Sequence, residues 1–209
     1  MPRPLSDADL AGFRERLIDA AERLFAQRGL EAVTMRQLAA ALDVSPMTPY
    51  RYFADKDAIL AAVRARAFER HAEALEAAFE ASRSDPARAS AAVGRAYVDF
   101  AFDRPEAYRL MFDISQPSEA RYPRLVAAAE RSRRTMTRHL EPLAGVGDAN
   151  LVGHMYWAAL HGPIMLELSG KLGDGCDARR LIAALLQTIG RGLSGQRAAS
   201  VAETLAPDR

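Results

Sequence analysis

Apolar residues recur at intervals of three and four along most of this chain, and that spacing limits it to helices with one buried face. Phe13, Leu17, Ala20, Ala21, Leu24 and Phe25 make the first stripe. Ile59, Leu60, Val63, Phe68, Leu75 and Phe79 make another, and Val93, Tyr97 and Phe100 a third. Alanine, leucine and arginine dominate while β-branched residues are sparse, so the spacing predicts an all-α protein.

The stops and starts between stripes are explicit. Gly29 ends the first helix. Thr34, with Gln37 three residues on, forms a capping box ahead of Leu38, Ala39 and Leu42. Asp43 and Val44 make a turn. Ser45 then caps the next helix, with Pro46 at its first position, where a missing N–H costs nothing. Pro49 would be its fourth residue and forfeit only the first intrahelical bond. Its ring crowds the Ser45 carbonyl and pushes Thr48 away from helical angles, at a cost well below the roughly 3 kcal/mol of a mid-helix proline. A short helix from Pro46 to about Phe53 is expected.

Asp55 can cap a long helix to about Ser82, and Asp85–Pro86 starts another to about Phe102. Arg104–Pro105 begins a short segment through Tyr108 and Met111. ISQPSE, residues 114–119, reads as a loop. A basic helix to about Leu140 follows, stopped by Glu141–Pro142. GVGD, residues 145–148, precedes a long apolar helix to about Ser169. GKLGDG, residues 170–175, is a second break before a helix capped by Asp177. That last helix carries Leu181, Ile182, Leu185, Leu186, Ile189 and Leu193, a stripe wider than a lone surface helix needs. Residues 196–209 read as a disordered tail.

Bulk properties narrow the class. The 28 Lys and Arg residues nearly balance 27 Asp and Glu, so overall charge names no partner. Cys176 is the sole cysteine, which excludes an internal disulfide and fits a reducing cytoplasm. The N-terminus lacks the apolar core of a signal peptide. LVGHMYWAALHGPIMLEL holds two histidines, a proline and a glutamate, and reads as a buried helix rather than a membrane span.

A capped helix, a tight turn and a second short helix make a helix-turn-helix, which places the start of its second helix in the major groove of DNA. Ser45, Pro46, Met47 and Thr48 would occupy that start. Thr48 could bond a base edge or phosphate, and Met47 or Pro46 could touch a thymine methyl. Tyr50, Tyr52 and Lys56 suit phosphate oxygens, and Thr34 and Arg36 the flanking backbone. Residues 1–60 hold eight Lys and Arg against nine Asp and Glu, so any basic footprint is local.

The run TMRQLAAALDVSPMTPYRYFADKDAIL, Thr34 to Leu60, resembles the DNA-binding segment of TetR-type transcriptional regulators. The Tyr50–Phe53 pair, followed by Lys56, stands in register with the capped helix before it. The resemblance implies a three-helix head, residues 10–56, and a larger helical domain, 57–195, that binds a small ligand and dimerises. Met47 departs from the small residue common at its position, and Pro49 from leucine or isoleucine. Trp157, His161 and Gly162 resemble the Trp-His-Gly signature of one ligand-domain subgroup of that family.

Trp157 and His161 share a helix face, and Gly162–Pro163 should bend the helix just after them, the makings of a pocket wall. Tyr97, Phe100, Tyr108, Met111 and Phe112 could line a pocket, although apolar residues at helical spacing are more often core. His161 reads equally as a core histidine. His154 and His161 lack an acidic or cysteine partner at ligand spacing, so no metal is expected, and no cofactor either. GKLGDG lacks the ending of a phosphate loop. Arg131, Arg133, Arg134 and Arg138 read as a solvated helix face.

The combined expectation is a cytoplasmic homodimer paired through its last two helices. It would repress transcription at a near-palindromic operator and be released by a small, largely apolar ligand. The helix from Asp55 onward would couple ligand to DNA. The alternatives are an all-helical enzyme using His161 as general base, and a scaffold whose arginine face binds an acidic partner.

Overall fold

The computed structural model describes residues 7–113, 119–138, 149–173 and 175–194. Among them are eight α-helices, two short 3₁₀ segments and no strand. The ISQPSE loop up to residue 118, the Glu141–Pro142 stop, the GVGD break and the 196–209 tail lie outside the described residues, as does the Arg138 side chain. Packing divides the chain into two compact units, 1–71 with 104–132, and 72–103 with 133–209.

The first unit holds α1 (Asp7–Arg28), α2 (Met35–Ala41), a 3₁₀ segment (Pro49–Arg51) and the start of α3 (Lys56–Glu80). It also holds α5 (Pro105–Met111), a 3₁₀ turn (Glu119–Arg121) and the start of α6 (Pro123–Arg138). Glu119, expected in the loop, therefore begins this turn. The stripe from Phe13 to Phe25 is buried and packs with Leu38, Phe53, Ile59 and Val63 in one apolar cluster. Burial of that stripe is what the three-and-four spacing required.

Arginines of α3 make the main polar links within this unit. The buried Arg64 guanidinium donates to the carbonyls of Leu110 at 3.0 Å and Met111 at 3.1 Å. It thereby satisfies acceptors at the end of α5 that have no partner within the helix. Arg66 reaches Asp19 and Glu22 on α1, and Arg70 reaches Glu22 at 3.0 Å.

The second unit holds the end of α3, α4 (Pro86–Asp103), the end of α6, α7 (Ala149–Leu168) and α8 (Ala178–Ser194). Asp85 caps α4 by accepting from the Ala87 and Arg88 N–H groups, and Asp177 caps α8 by accepting from Arg180 at 2.7 Å. Gly170 and Gly175 take positive φ in the break between α7 and α8, where a side chain would be strained. α7 packs on both α4 and α8. It meets α6 so closely that a Cβ on Gly153 would lie 2.8 Å from the Thr137 methyl. Pro163 sits inside α7, which continues through it to Leu168.

One expectation is corrected. Residues 46–53 form no α-helix. Pro46 and Met47 lie in a turn, and only Pro49–Arg51 wind, as 3₁₀. Thr48 was expected outside helical angles and instead has φ −62° and ψ −45°. The cause is the missing Pro49 N–H. The Ser45 carbonyl, which an α-helix would pair with residue 49, takes the Thr48 N–H at 2.8 Å. Arg51 and Tyr52 repeat the tighter pattern, donating to Thr48 and Pro49.

Candidate functional site

The segment from Thr34 to Lys56 is built by local bonds. Thr34 Oγ1 accepts the Gln37 N–H at 3.3 Å, and Gln37 Oε1 accepts the Thr34 N–H at 2.8 Å, a complete capping box. At the other end of α2, Val44 N–H donates to Ala39 and Asp43 N–H to Ala40. This paired pattern closes a helix on one left-handed residue, here Asp43 at φ 53°. The reversal sends the chain to Ser45, whose Oγ accepts the Met47 N–H at 3.4 Å.

The result is a short polar ledge in solvent. Met47 is 68% exposed and Tyr50 48% exposed, while Pro49 behind them is buried. Thr34, Arg36, Ser45 and Pro46 are also exposed, and Thr48 is half-buried. Large apolar groups in water are the informative kind of exposure when they cluster with donors.

Two of the expected contact residues are tied to the fold. Tyr52 is half-buried, its ring 4.6 Å from that of Phe13. Lys56 donates to the Leu30 carbonyl at 3.0 Å, which leaves two of its three N–H groups for other acceptors. The exposed Arg51, on the same 3₁₀ turn as Tyr50, adds a cation beside the ledge. Its position next to Tyr50 in sequence was the available signal.

In the second unit three of the expected ligand residues meet. Trp157 Nε1–H donates to the Tyr97 hydroxyl at 3.0 Å, and that hydroxyl lies 3.4 Å from His161 Nδ1. Tyr97 is fully buried, and the Trp157 and His161 rings stand 5.9 Å apart. Burial holds the His161 pKa below the usual histidine value, so the ring is neutral at physiological pH. Phe100 is buried one turn beyond Tyr97 on α4. Tyr108 and Met111 belong to the first unit and are buried there, with Tyr108 against the Phe112 ring. His154 Nδ1 donates to the Asn150 carbonyl at 2.7 Å and packs on Trp157.

A cavity of about 500 Å³ lies beside this cluster, between α4, α7 and α8. Tyr156 and Leu160, the chain neighbours of Trp157 and His161, line it rather than Trp157 and His161 themselves. Arg95 and Arg179 stand on its wall, and neither was singled out in the sequence. The signal that could have found them is the run of small residues Ala87, Ala91 and Gly94 on one face of α4.

Comparison with known proteins agrees with this geometry. Residues 17–63 match the family model described as bacterial regulatory proteins of the tetR family. Residues 90–189 match the tetracyclin repressor-like C-terminal domain. The HTH-type transcriptional regulator BetI of Brucella canis is 30% identical over 188 residues, covering 89% of this chain and 94% of that protein. A protein of unknown function from Rhodococcus sp. RHA1 superposes with a TM-score of 0.75 at 30% identity, over 93% of this chain and all of that one. The TetR family transcriptional regulator PfmR of Thermus thermophilus shares the fold, with a TM-score of 0.62 at 23% identity, over 85% and 98% of the two chains. A capped helix, a left-handed turn and an exposed ledge thus lie within the residues that match the tetR family model, and the chain belongs to the TetR family of DNA-binding transcriptional regulators.

Proposed function

We propose that this regulator is a homodimeric repressor whose head, residues 10–56, reads a near-palindromic operator and whose remaining helices, 57–195, bind the effector and pair the two copies. The observation that carries the reading is the ledge: Met47 and Tyr50 stand in solvent on a turn that local backbone bonds fix and that the buried Pro49 and Phe53 anchor to the core. Met47 and Thr48 would meet base edges, with Ser45 and Pro46 beside them. Tyr50, Tyr52, Lys56, Thr34 and Arg36 would hold phosphates.

Pairing through the last two helices is supported by α7. Leu151, Met155 and Leu166 are exposed large apolar residues spaced on one side of it, and Leu151 is 61% exposed. Two copies joined there would need their recognition turns about 34–36 Å apart to enter successive major grooves. Trp157, His161 and Tyr97 would sense an apolar effector, as in the subgroup that their Trp-His-Gly run resembles. The protein would act in the cytoplasm, without catalysis or cofactor. Among the described residues no helix is long and apolar enough to cross a membrane.

Selecting bound fragments from the source genome, then footprinting them, tests the whole reading. A protected inverted repeat with half-sites about one helical turn apart is the expected result. Binding without sequence preference, or a stable monomer at micromolar concentration in sedimentation, would overturn it.

A further inference from the structure

The groove between α4, α7 and α8 has a chemistry of its own. Its α4 wall is built from Ala87, Ala91 and Gly94, residues that recur on one face and leave space. Glycine in a helix interior is destabilising relative to alanine. Nothing in the chain's own packing demands it, since a Cβ on Gly94 would meet no atom within 4 Å. The space it leaves belongs to the groove, whose floor is the buried Val98, Leu160 and Ile182. A volume of about 500 Å³ suits a small amphiphile.

The exposed wall is cationic. Arg95 of α4 and Arg179 of α8 both line the groove and both reach solvent. Arg179 is oriented by Asp99, to which it donates at 2.9 Å, and by the Phe102 ring 5.6 Å away. Asp99 offsets one of the two positive charges, so the wall retains one.

On α7 the groove is set apart from the apolar face proposed for pairing, because Tyr156 and Leu160 lie about 80° or more around that helix from Leu151, Met155 and Leu166. Arg179, Ile182, Ala183 and Leu186 of α8 line the groove. Of the apolar stripe on α8, Leu181 is turned about 200° from Arg179, whereas Leu185 and Ile189 lie about 60° and 20° from Ile182, so the groove adjoins that stripe.

We propose that this groove binds an amphipathic monocarboxylate, its carboxylate held by Arg95 and Arg179 and its hydrocarbon body lying along Val98, Leu160 and Ile182. Its role as the effector rests on the function proposed above; the binding does not. One negative charge balances the wall, and an arginine pair suits the planar carboxylate better than a neutral headgroup.

Calorimetric titration of the full-length protein with decanoate, decanol and decyltrimethylammonium tests the chemistry. Decanoate should bind at least about tenfold more tightly than decanol, and the cation should not bind. Arg95→Gln combined with Arg179→Gln should erase the preference for decanoate over decanol. Gly94→Leu, or Ala91→Leu should the first fail to fold, should fill the groove and abolish decanoate binding. Equal binding of decanoate and decanol overturns the proposal. So does normal decanoate binding in a filled variant, or a filled variant that alters only dimer dissociation, which would mean that a second copy covers the groove. DNA binding is measured on the same preparations. Selective operator binding without decanoate binding sinks this proposal alone, whereas no selective DNA binding sinks the regulator reading and leaves the decanoate result to stand by itself.

Discussion

Trp157 donates its indole N–H to the Tyr97 hydroxyl at 3.0 Å, across sixty residues of chain. The bond joins α7 to α4 and places His161 Nδ1 3.4 Å from the same hydroxyl. Two aromatic rings that periodicity describes only as apolar thus become a polar chain with a neutral imidazole at its end.

Tyr97→Phe removes the acceptor for a part-buried indole donor. A loss of about 1–2 kcal/mol is expected in urea denaturation, the cost of leaving such a group unpaired. DNA affinity of the effector-free protein should be unchanged. Trp157→Ala should alter the response to effector with the same DNA affinity; a folded variant with normal response would remove Trp157 from the site.

His71 governs acid stability. Its ring is buried, with Nδ1 2.8 Å from Ser132 Oγ, and burial lowers its pKa from 6.5 to about 3. Between those values the unfolded chain takes up a proton that the folded chain refuses. Its contribution is therefore fully present above pH 6.5 and lost as pH falls, at about 1.4 kcal/mol per pH unit for the one proton. His71→Gln should flatten that limb of the stability profile by one proton, measured by denaturation at stepped pH.

Thr34 and Gln37 separate structure from contact. Each substitution to alanine breaks the capping box and should cost about 1 kcal/mol. Gln37→Ala should leave DNA affinity nearly intact. Thr34→Ala should weaken it for all sequences alike, and equal effects from the two would assign Thr34 to the cap only.

Asp43 holds φ 53°, where glycine is at ease and a β-branched residue is not. Asp43→Gly should raise stability by about 0.5–1 kcal/mol or leave it level, because the looser unfolded chain offsets part of the gain. Asp43→Val should lower it by about 1–2 kcal/mol. Thermal melting of the three proteins gives the order directly.

Tyr50→Phe deletes one exposed hydroxyl from the ledge. Binding should fall about equally on every DNA sequence, the mark of a phosphate contact. Loss of discrimination between operators would make Tyr50 a reader of bases. Met47→Ala should act in the opposite sense, changing preference at one base pair by about 1–3 kcal/mol.

Local physics made much of this protein legible from residue order. Helix class, the capping box at Thr34, the turn at Asp43–Val44 and the caps at Asp55, Asp85 and Asp177 depend on atoms within a few residues of each other. The 3₁₀ winding at Pro49 is also local. It departs from the expected helix because a single missing N–H diverts the Ser45 carbonyl to Thr48. Tertiary packing decided the rest. It drew Tyr52 onto Phe13 and Lys56 onto the Leu30 carbonyl. It assigned Tyr108 and Met111 to the first unit and joined Tyr97 to Trp157 and His161 in the second. It also opened a groove beside Gly94, with Arg95 and Arg179 on its wall. Those pairings link helices far apart in sequence, and residue spacing records which face of a helix is buried but not which partner buries it.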